Sequence, residues 1–220
     1  MKNISDKELE GCIDDLASVH GLALEPSTLR DLYSIASLTA EWRRRTDLTS
    51  AKTARALVEV TFGDAFALRA SGAVEASSRL VDVGAGAGAP TIPYCVIDPS
   101  VKAHLIEPRR KRIAFMRLLV GTLGLRERVV IEEGRVGEDP TAGTSPSALR
   151  FDSALSRATF SPERWLSIGR TLASSVIVFT AGAPLPPAPE GFRRRMMHDY
   201  SIPSTQIPRA MGVYCRDEAD

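Results

Sequence analysis

An apolar run from Arg79 to Val83 carries Asp82 and then meets Gly84, Gly86 and Gly88 at alternate positions. This reads as a buried strand that stops in a tight turn and opens into a helix near Gly88. Glycine permits positive φ there and lets a ligand approach the backbone without meeting a Cβ. The free N–H groups of the following helix would face that ligand. About twenty residues on, a second strand, Lys102 to Ile106, ends in Glu107, and an acid at that strand tip can hold ribose hydroxyls. The pair points to a bound adenosine cofactor. The plainer alternative is a strand–helix turn with no ligand, and Glu107 speaks against it.

The spacing separates two cofactors. Gly84-x-Gly86-x-Gly88 is not the G-x-G-x-x-G of dinucleotide binders. With Asp82 before it, it looks like the D/E-x-G-x-G-x-G loop of Rossmann-like methyltransferases, which hold S-adenosylmethionine (SAM). Further along, Arg135 and Arg157 each follow a strand at the edge where open α/β sheets bind ligands. Arginine offers a planar fork to phosphate or to a guanine edge. Each can instead pair with a carboxylate such as Glu138 or Asp82. Asp64 is either a substrate-side acid or a helix-surface charge. Cys95 and His104 lie within apolar runs and read as core or strand residues rather than nucleophiles. Three basic runs, Arg43 to Arg45, Arg109 to Arg112 with Arg117, and Arg193 to Arg195, are either solvated faces or contacts to an RNA backbone.

These residues need a scaffold. Residues 1–68 read as a helical cap, with residues 69–220 as the cofactor-binding unit and the two together as one compact body. The first helix starts at Ser5 or Asp6, with Leu9, Ile13, Leu16 and Val19 on one face, and Gly21 breaks it. The second opens at Pro26-Ser27, and the third runs from about Lys52 to Leu68 with Leu57, Val60, Asp64 and Leu68 together. Beyond these, strands at 79–83, 102–107, 128–132, 151–155 and 174–179 alternate with helices, one of them Arg110 to Leu123. That alternation implies an α/β fold with a mostly parallel sheet flanked by helices. A final pair of strands, Arg193 to Tyr200 and Met211 to Arg216, brings the sheet to seven. Gly134 to Leu149 reads as an exposed loop, and Pro184 to Pro189 as irregular chain.

Composition narrows the class. The 220 residues are 44% hydrophobic with a formal net charge of +1, enough apolar content for a core and no global pull toward nucleic acid. Three scattered cysteines, Cys12, Cys95 and Cys215, suit a reduced cytoplasmic protein better than a disulfide framework or a metal site. The charged N-terminus lacks a signal-peptide pattern, and no stretch is long and apolar enough to span a membrane. A monomer without bound metal is the expectation.

The chain resembles the RsmG (GidB) methyltransferases, which use SAM to methylate guanine N7 in small-subunit ribosomal RNA. Trp42 to Ser50 is similar to the family's W-N-x-x-x-N-L-T-S, and Val81 to Pro93 to its D-V-G-x-G-x-G-x-P-G-I-P. Lys111-Arg112 with Phe115 resembles K-R-x-x-F. Gly134 to Glu138 resembles S/G-R-x-E-E, Ser156-Arg157-Ala158 resembles S-R-A, and Pro208 to Val213 resembles a closing R-x-L-V-V strand. The resemblance implies a class I methyltransferase fold with SAM against Asp82, Gly84, Gly86, Gly88, Pro90, Glu107, Arg135 and Arg157. It implies Arg157, Asp64 and Arg135 at the reaction site, and ribosomal RNA or the small subunit as partner. This sequence departs from the pattern at Asp47 (for Asn), at Thr61 and Ala65 (for H-x-x-D-S) and at Thr91 (for Gly). It departs again at Thr180-Ala181, where the family has L-K-G. A paralogue that keeps the cofactor but methylates another RNA or a small molecule, and a non-catalytic SAM- or RNA-binding protein, are the alternatives.

Overall fold

Ser5 and Glu8 form a reciprocal cap: the Ser5 N–H donates to Glu8 Oε2 at 2.9 Å, and the Glu8 N–H donates back to Ser5 Oγ at 3.4 Å. They open α1 (Asp6–Val19), followed by α2 (Pro26–Trp42) and α3 (Ala54–Ser71). This computed structural model describes residues 4–43, 46–137 and 151–217. Arg44, Arg45, Glu138 and most of the expected 134–149 loop lie outside them. Two residues expected on inward faces are exposed, Val19 at 53% and Val60 at 37%. In α1 the buried stripe passes from Ile13 to Leu16 and Ala17, and His20 turns in beyond it against Phe66 and Tyr200. In α3 the inward row steps from Leu57 to Thr61, Asp64, Ala65 and Leu68, leaving Val60 on the rim.

The remaining elements are β1 (Arg79–Val83), α4 (Thr91–Ile97), β2 (Lys102–Glu107), α5 (Arg110–Thr122), β3 (Val129–Glu133) and β4 (Phe151–Ser156). They continue with α6 (Pro162–Leu172), β5 (Ala173–Ala181), β6 (Phe192–Ile202) and β7 (Thr205–Arg216). The expected strands are all present, the last three longer than their residue patterns suggest. One sheet has the order β3-β2-β1-β4-β5-β7-β6. β1 to β5 run parallel and β7 enters antiparallel between β5 and β6. This is the α/β, mostly parallel seven-stranded sheet expected.

Side chains alternate across the sheet with a period of two. Leu80, Leu105, Leu155, Ile177 and Val213 join one core with α1 to α5, so the helical cap and the sheet share it. Val81, Val83, Ile106, Ala154, Val176 and Val178 face the other way, onto Trp165, Leu166 and Ile168 of α6. The chain leaves β1 toward β2 and β3 on one side, and continues from β4 to β5 on the other. The crevice beyond the C-terminal ends of β1 and β4 is therefore the point where an open α/β sheet receives a ligand.

Candidate cofactor and substrate site

The corner is built on β1. Its last residues are buried, and the chain turns over the tip of β2: the Gly84 and Ala85 N–H groups both donate to the Ile106 carbonyl, at 2.8 and 3.2 Å. Gly84, Gly86 and Gly88 have φ of +76°, +61° and +88°. Their needs differ. A Cβ on Gly84 would stand 2.3 Å from Thr159 Oγ1, and one on Gly88 would stand 2.4 Å from Ile92 Cδ1. Those two glycines admit neighbours of the protein itself. At Gly86 nothing comes closer than Arg112 Nη1 at 3.6 Å, so the backbone there opens to a ligand.

Glu107 is 3% exposed at the end of β2. Its Oε2 accepts the Gly86 N–H and its Oε1 accepts the Arg109 N–H, both at 2.9 Å. Two backbone donors fix the carboxylate, and each oxygen keeps a second lone pair for a ligand hydroxyl. Asp82, 1% exposed beneath the loop, accepts from Thr91 Oγ1 at 2.6 Å. Burial pushes its acid up to about 7; the Thr91 hydrogen bond and the charge of Arg157 oppose that rise, and Glu107 adds to it. The expected helix does not begin at Gly88. It begins at Thr91, after a turn that leaves Pro90 buried as its N-cap, and it is only 7 residues long with a second proline at Pro93. Its N-terminus therefore offers fewer donors to a ligand than the sequence suggests.

On the other side of the crevice stands Asp64, 2% exposed, which settles against the helix-surface alternative. It accepts from Arg157 Nη1 at 3.0 Å, from the Tyr200 hydroxyl at 2.6 Å and from Arg209 Nη1 at 3.4 Å. Arg157 also donates to the Val60 carbonyl at 2.8 Å. Among the described residues its carboxylate partner is Asp64 rather than Asp82. One buried acid thus meets two guanidiniums, leaving the cluster with an excess positive charge. Burial, then the Asp64 charge, raise the Tyr200 phenol, so it stays a donor. Ala158, next to Arg157, sits at φ +56°, a left-handed conformation costing about 1–2 kcal/mol for a residue with a Cβ. It turns the chain so that Thr159 reaches Gly84, its hydroxyl 3.4 Å from that carbonyl.

The structure brings Arg157 and Asp64 together and sets Arg135 apart. Arg135 is exposed past the end of β3, three strands from β4, beside Glu107, whose carbonyl accepts the Gly134 N–H at 3.3 Å. Cys95 is buried, and burial pushes its thiol up to about 12, which fits a core residue. His104 lies in β2, its Nε2 2.7 Å from Glu132 Oε2. Sequence reasoning missed Thr91, Tyr200 and Arg209 as site residues. Arg209 had a signal in its strand motif; Tyr200 had none. Among the departures, Thr61 donates to its own helix at the Leu57 carbonyl, Ala65 is fully buried, and Thr180 is buried with its hydroxyl 3.5 Å from the Ala210 carbonyl.

Two of the basic runs lie at opposite edges. Arg109 to Lys111 are exposed at the start of α5, beside the glycine loop. Arg112 donates to the Asp47 carbonyl at 3.4 Å, tying the 46–53 loop to the same corner. Arg193 and Arg195 lie by the start of β5: Arg193 pairs in register with Cys215, which pairs with Ser175. Arg195 binds Glu75 at 3.1 Å. About 20 Å of strand separates the two edges, so these two runs do not form one face.

Sheet order, switch-point crevice and glycine loop define a Rossmann-like class I methyltransferase fold. A protein described as an RNA methyltransferase from Pyrococcus horikoshii shares it with a TM-score of 0.53 and 12% identity, over 71% of this chain and 84% of that one. MtNAS, solved in complex with MTA and tNA, shares it with a TM-score of 0.51 and 15% identity, over 96% and 71%. The family model for rRNA small subunit methyltransferase G (GidB) matches residues 28–181, and the chain belongs to that family. A ribosomal RNA small subunit methyltransferase G of Thermoanaerobacter is 32% identical over 142 residues, 63% of this chain and 57% of the relative. That of Frankia casuarinae is 37% identical over 91 residues, 41% and 33% respectively. The chain thus spans between about a third and three fifths of these curated relatives. Among the described residues no helix is long and apolar enough to cross a membrane, and no cluster of metal-ligating side chains occurs.

Proposed function

We propose that the protein is a SAM-dependent methyltransferase that acts on a guanine N7 of small-subunit ribosomal RNA. The observation that carries this reading is Glu107: a buried carboxylate, held by two backbone N–H groups beside an open Gly86, with lone pairs left for a ribose diol. When bound, SAM supplies an electrophilic methyl on a sulfonium. Asp82 and Glu107 bind and orient; Arg135 lies on the same side as Glu107. Guanine N7 carries an exposed lone pair, so its attack needs no general base, and the absence of a His or Cys dyad among the described site residues agrees with that. The residues' task is alignment. Arg157, held by Asp64, stands between the cofactor corner and the substrate side, and Arg109 to Lys111 offer charge to an RNA backbone.

A second reading is supported by the departures. Thr61 bonds to its own helix, Ala65 is buried, and Thr180-Ala181 stands where the family's L-K-G carries a lysine, so these positions present no charge to a substrate. They favour a paralogue that methylates another RNA or a small molecule. Mass spectrometry of ribosomal RNA from a deletion strain separates the two. Loss of one N7-methylguanosine supports the ribosomal enzyme. Unchanged RNA, with SAM still bound by the protein, supports the paralogue; a protein that binds SAM and transfers methyl to no acceptor is a non-catalytic relative.

A further inference from the structure

Among the described residues three threonines lie buried in helices, and one behaves differently. Thr39 and Thr61 return their hydroxyls to the carbonyl four residues earlier, Ile35 and Leu57, at 2.7 Å each, the usual resort of a buried helical threonine. Thr91, fully buried at the start of α4, instead aims its hydroxyl out of its own element at Asp82 Oδ2, 2.6 Å away. Its position as first residue of the helix allows this, since the chain before it is a turn.

We infer that Thr91 is a positioning residue of the cofactor corner: its hydroxyl orients the Asp82 carboxylate and stabilises its anionic form for a cationic ligand. The inference rests on the SAM reading and names how that site responds to pH. A buried carboxylate is costly unless hydrogen-bonded or paired. The groups that face Asp82 are few among the described residues: Arg157 from beyond β4 favours the anion, Glu107 from β2 opposes it, and Cys95 of α4 is a neutral thiol. Thr91 is the direct donor. The balance leaves Asp82 poised near neutrality. A ligand bearing a sulfonium and an ammonium selects the ionised form, so binding below that midpoint releases a proton, and affinity falls as pH falls.

The test is calorimetry of SAM binding between pH 5.5 and 9 for the wild type, Thr91→Val and Thr91→Ser, alongside a carboxyl carbon NMR titration of Asp82 in the ligand-free proteins. In the wild type affinity climbs with pH and levels off above about 7. Thr91→Val removes the donor at nearly constant volume and moves the midpoint up by roughly one to two pH units, weakening binding at neutral pH about 5- to 50-fold. Thr91→Ser keeps the donor and follows the wild type. If the valine variant does not fold, Thr91→Ala takes its place in the NMR titration, with the same upward midpoint expected. An Asp82 midpoint and binding profile identical in the wild type and the donorless variant overturn the inference and leave the SAM reading standing. No SAM binding by the wild type at any pH overturns the reading and the inference with it.

Discussion

The two sides of the crevice are built differently. The proposed cofactor side, from Asp82 to Gly88 with Glu107, is shaped by backbone: three positive-φ glycines, and a carboxylate pinned by two main-chain N–H groups. Its parts lie within about 25 residues of one another in a β-α-β unit. The proposed substrate side is made of side chains brought from afar. Asp64 meets Arg157, Tyr200 and Arg209 across separations of 93, 136 and 145 residues. A backbone site is constrained by φ angles and tolerates little change. A side-chain site can exchange one polar group for another, as at Thr61 and Ala65 on α3; on the other side the one departure under the glycine loop, Thr91, leaves the glycines in place and adds a donor to Asp82.

The largest effect expected from this contrast is on stability. Asp64→Ala leaves Arg157 and Arg209 facing each other, partly buried, without their common acid. It should cost about 3–5 kcal/mol in denaturant unfolding. A loss below about 1 kcal/mol would mean that the substrate side is solvated and not the locked cluster described.

The cofactor side carries its own cost in pH. Asp82 is raised to about 7 from an ordinary 3.8, so the folded ligand-free protein binds a proton there that the unfolded chain has released. Stability therefore falls as pH rises from about 4 to about 7 and is level above, by a few kcal/mol. Asp82→Asn should flatten that slope in thermal melts compared across the same range. A wild-type profile no steeper than that of the asparagine variant would show that Asp82 is ionised throughout.

Within the loop, the glycines should separate. Gly88→Ala drives a methyl into Ile92 at an already left-handed φ, and should destabilise by about 2–4 kcal/mol. Gly86→Ala meets no neighbour closer than 3.6 Å, so its cost is the φ strain, about 1–2 kcal/mol. Gly86→Val should abolish SAM binding while circular dichroism stays native. Equal melts for the two alanine variants would deny that one glycine serves packing and the other the ligand.

The smallest effect sharpens the substrate side. Ala181→Lys, at an exposed position at the end of β5, puts back one positive charge and should steepen the log–log salt dependence of RNA binding by about 0.7. An unchanged slope would place position 181 off the RNA path.

What the sequence made legible follows the same division. β1, the glycine turn, β2 and Glu107 could be read because their constraints are local: apolar runs, a φ that favours glycine, an acid at a strand tip. The Asp64 cluster was half legible. Asp64 and Arg157 stood out as charges in or beside apolar runs, but their pairing depends on α3 lying against β6 at the edge of the sheet, which no spacing encodes. Tyr200 was invisible, because an aromatic in an edge strand has many uses. Helix faces misled at Val19 and Val60, where the packing row slipped by one residue. The basic runs were found but not their edges, since only the antiparallel return of β7 places Arg193 and Arg195 away from Arg109 to Arg112.

The central claim is that the corner of Asp82, Gly86 and Glu107 holds SAM, and calorimetry tests it most directly. The intact protein should bind SAM and S-adenosylhomocysteine with one site. Glu107→Ala should weaken that binding by about 1.5–3 kcal/mol, the worth of hydrogen bonds to a charged group, with the fold retained by circular dichroism. No heat of binding by the folded wild-type protein, or an affinity unchanged in Glu107→Ala, would contradict it.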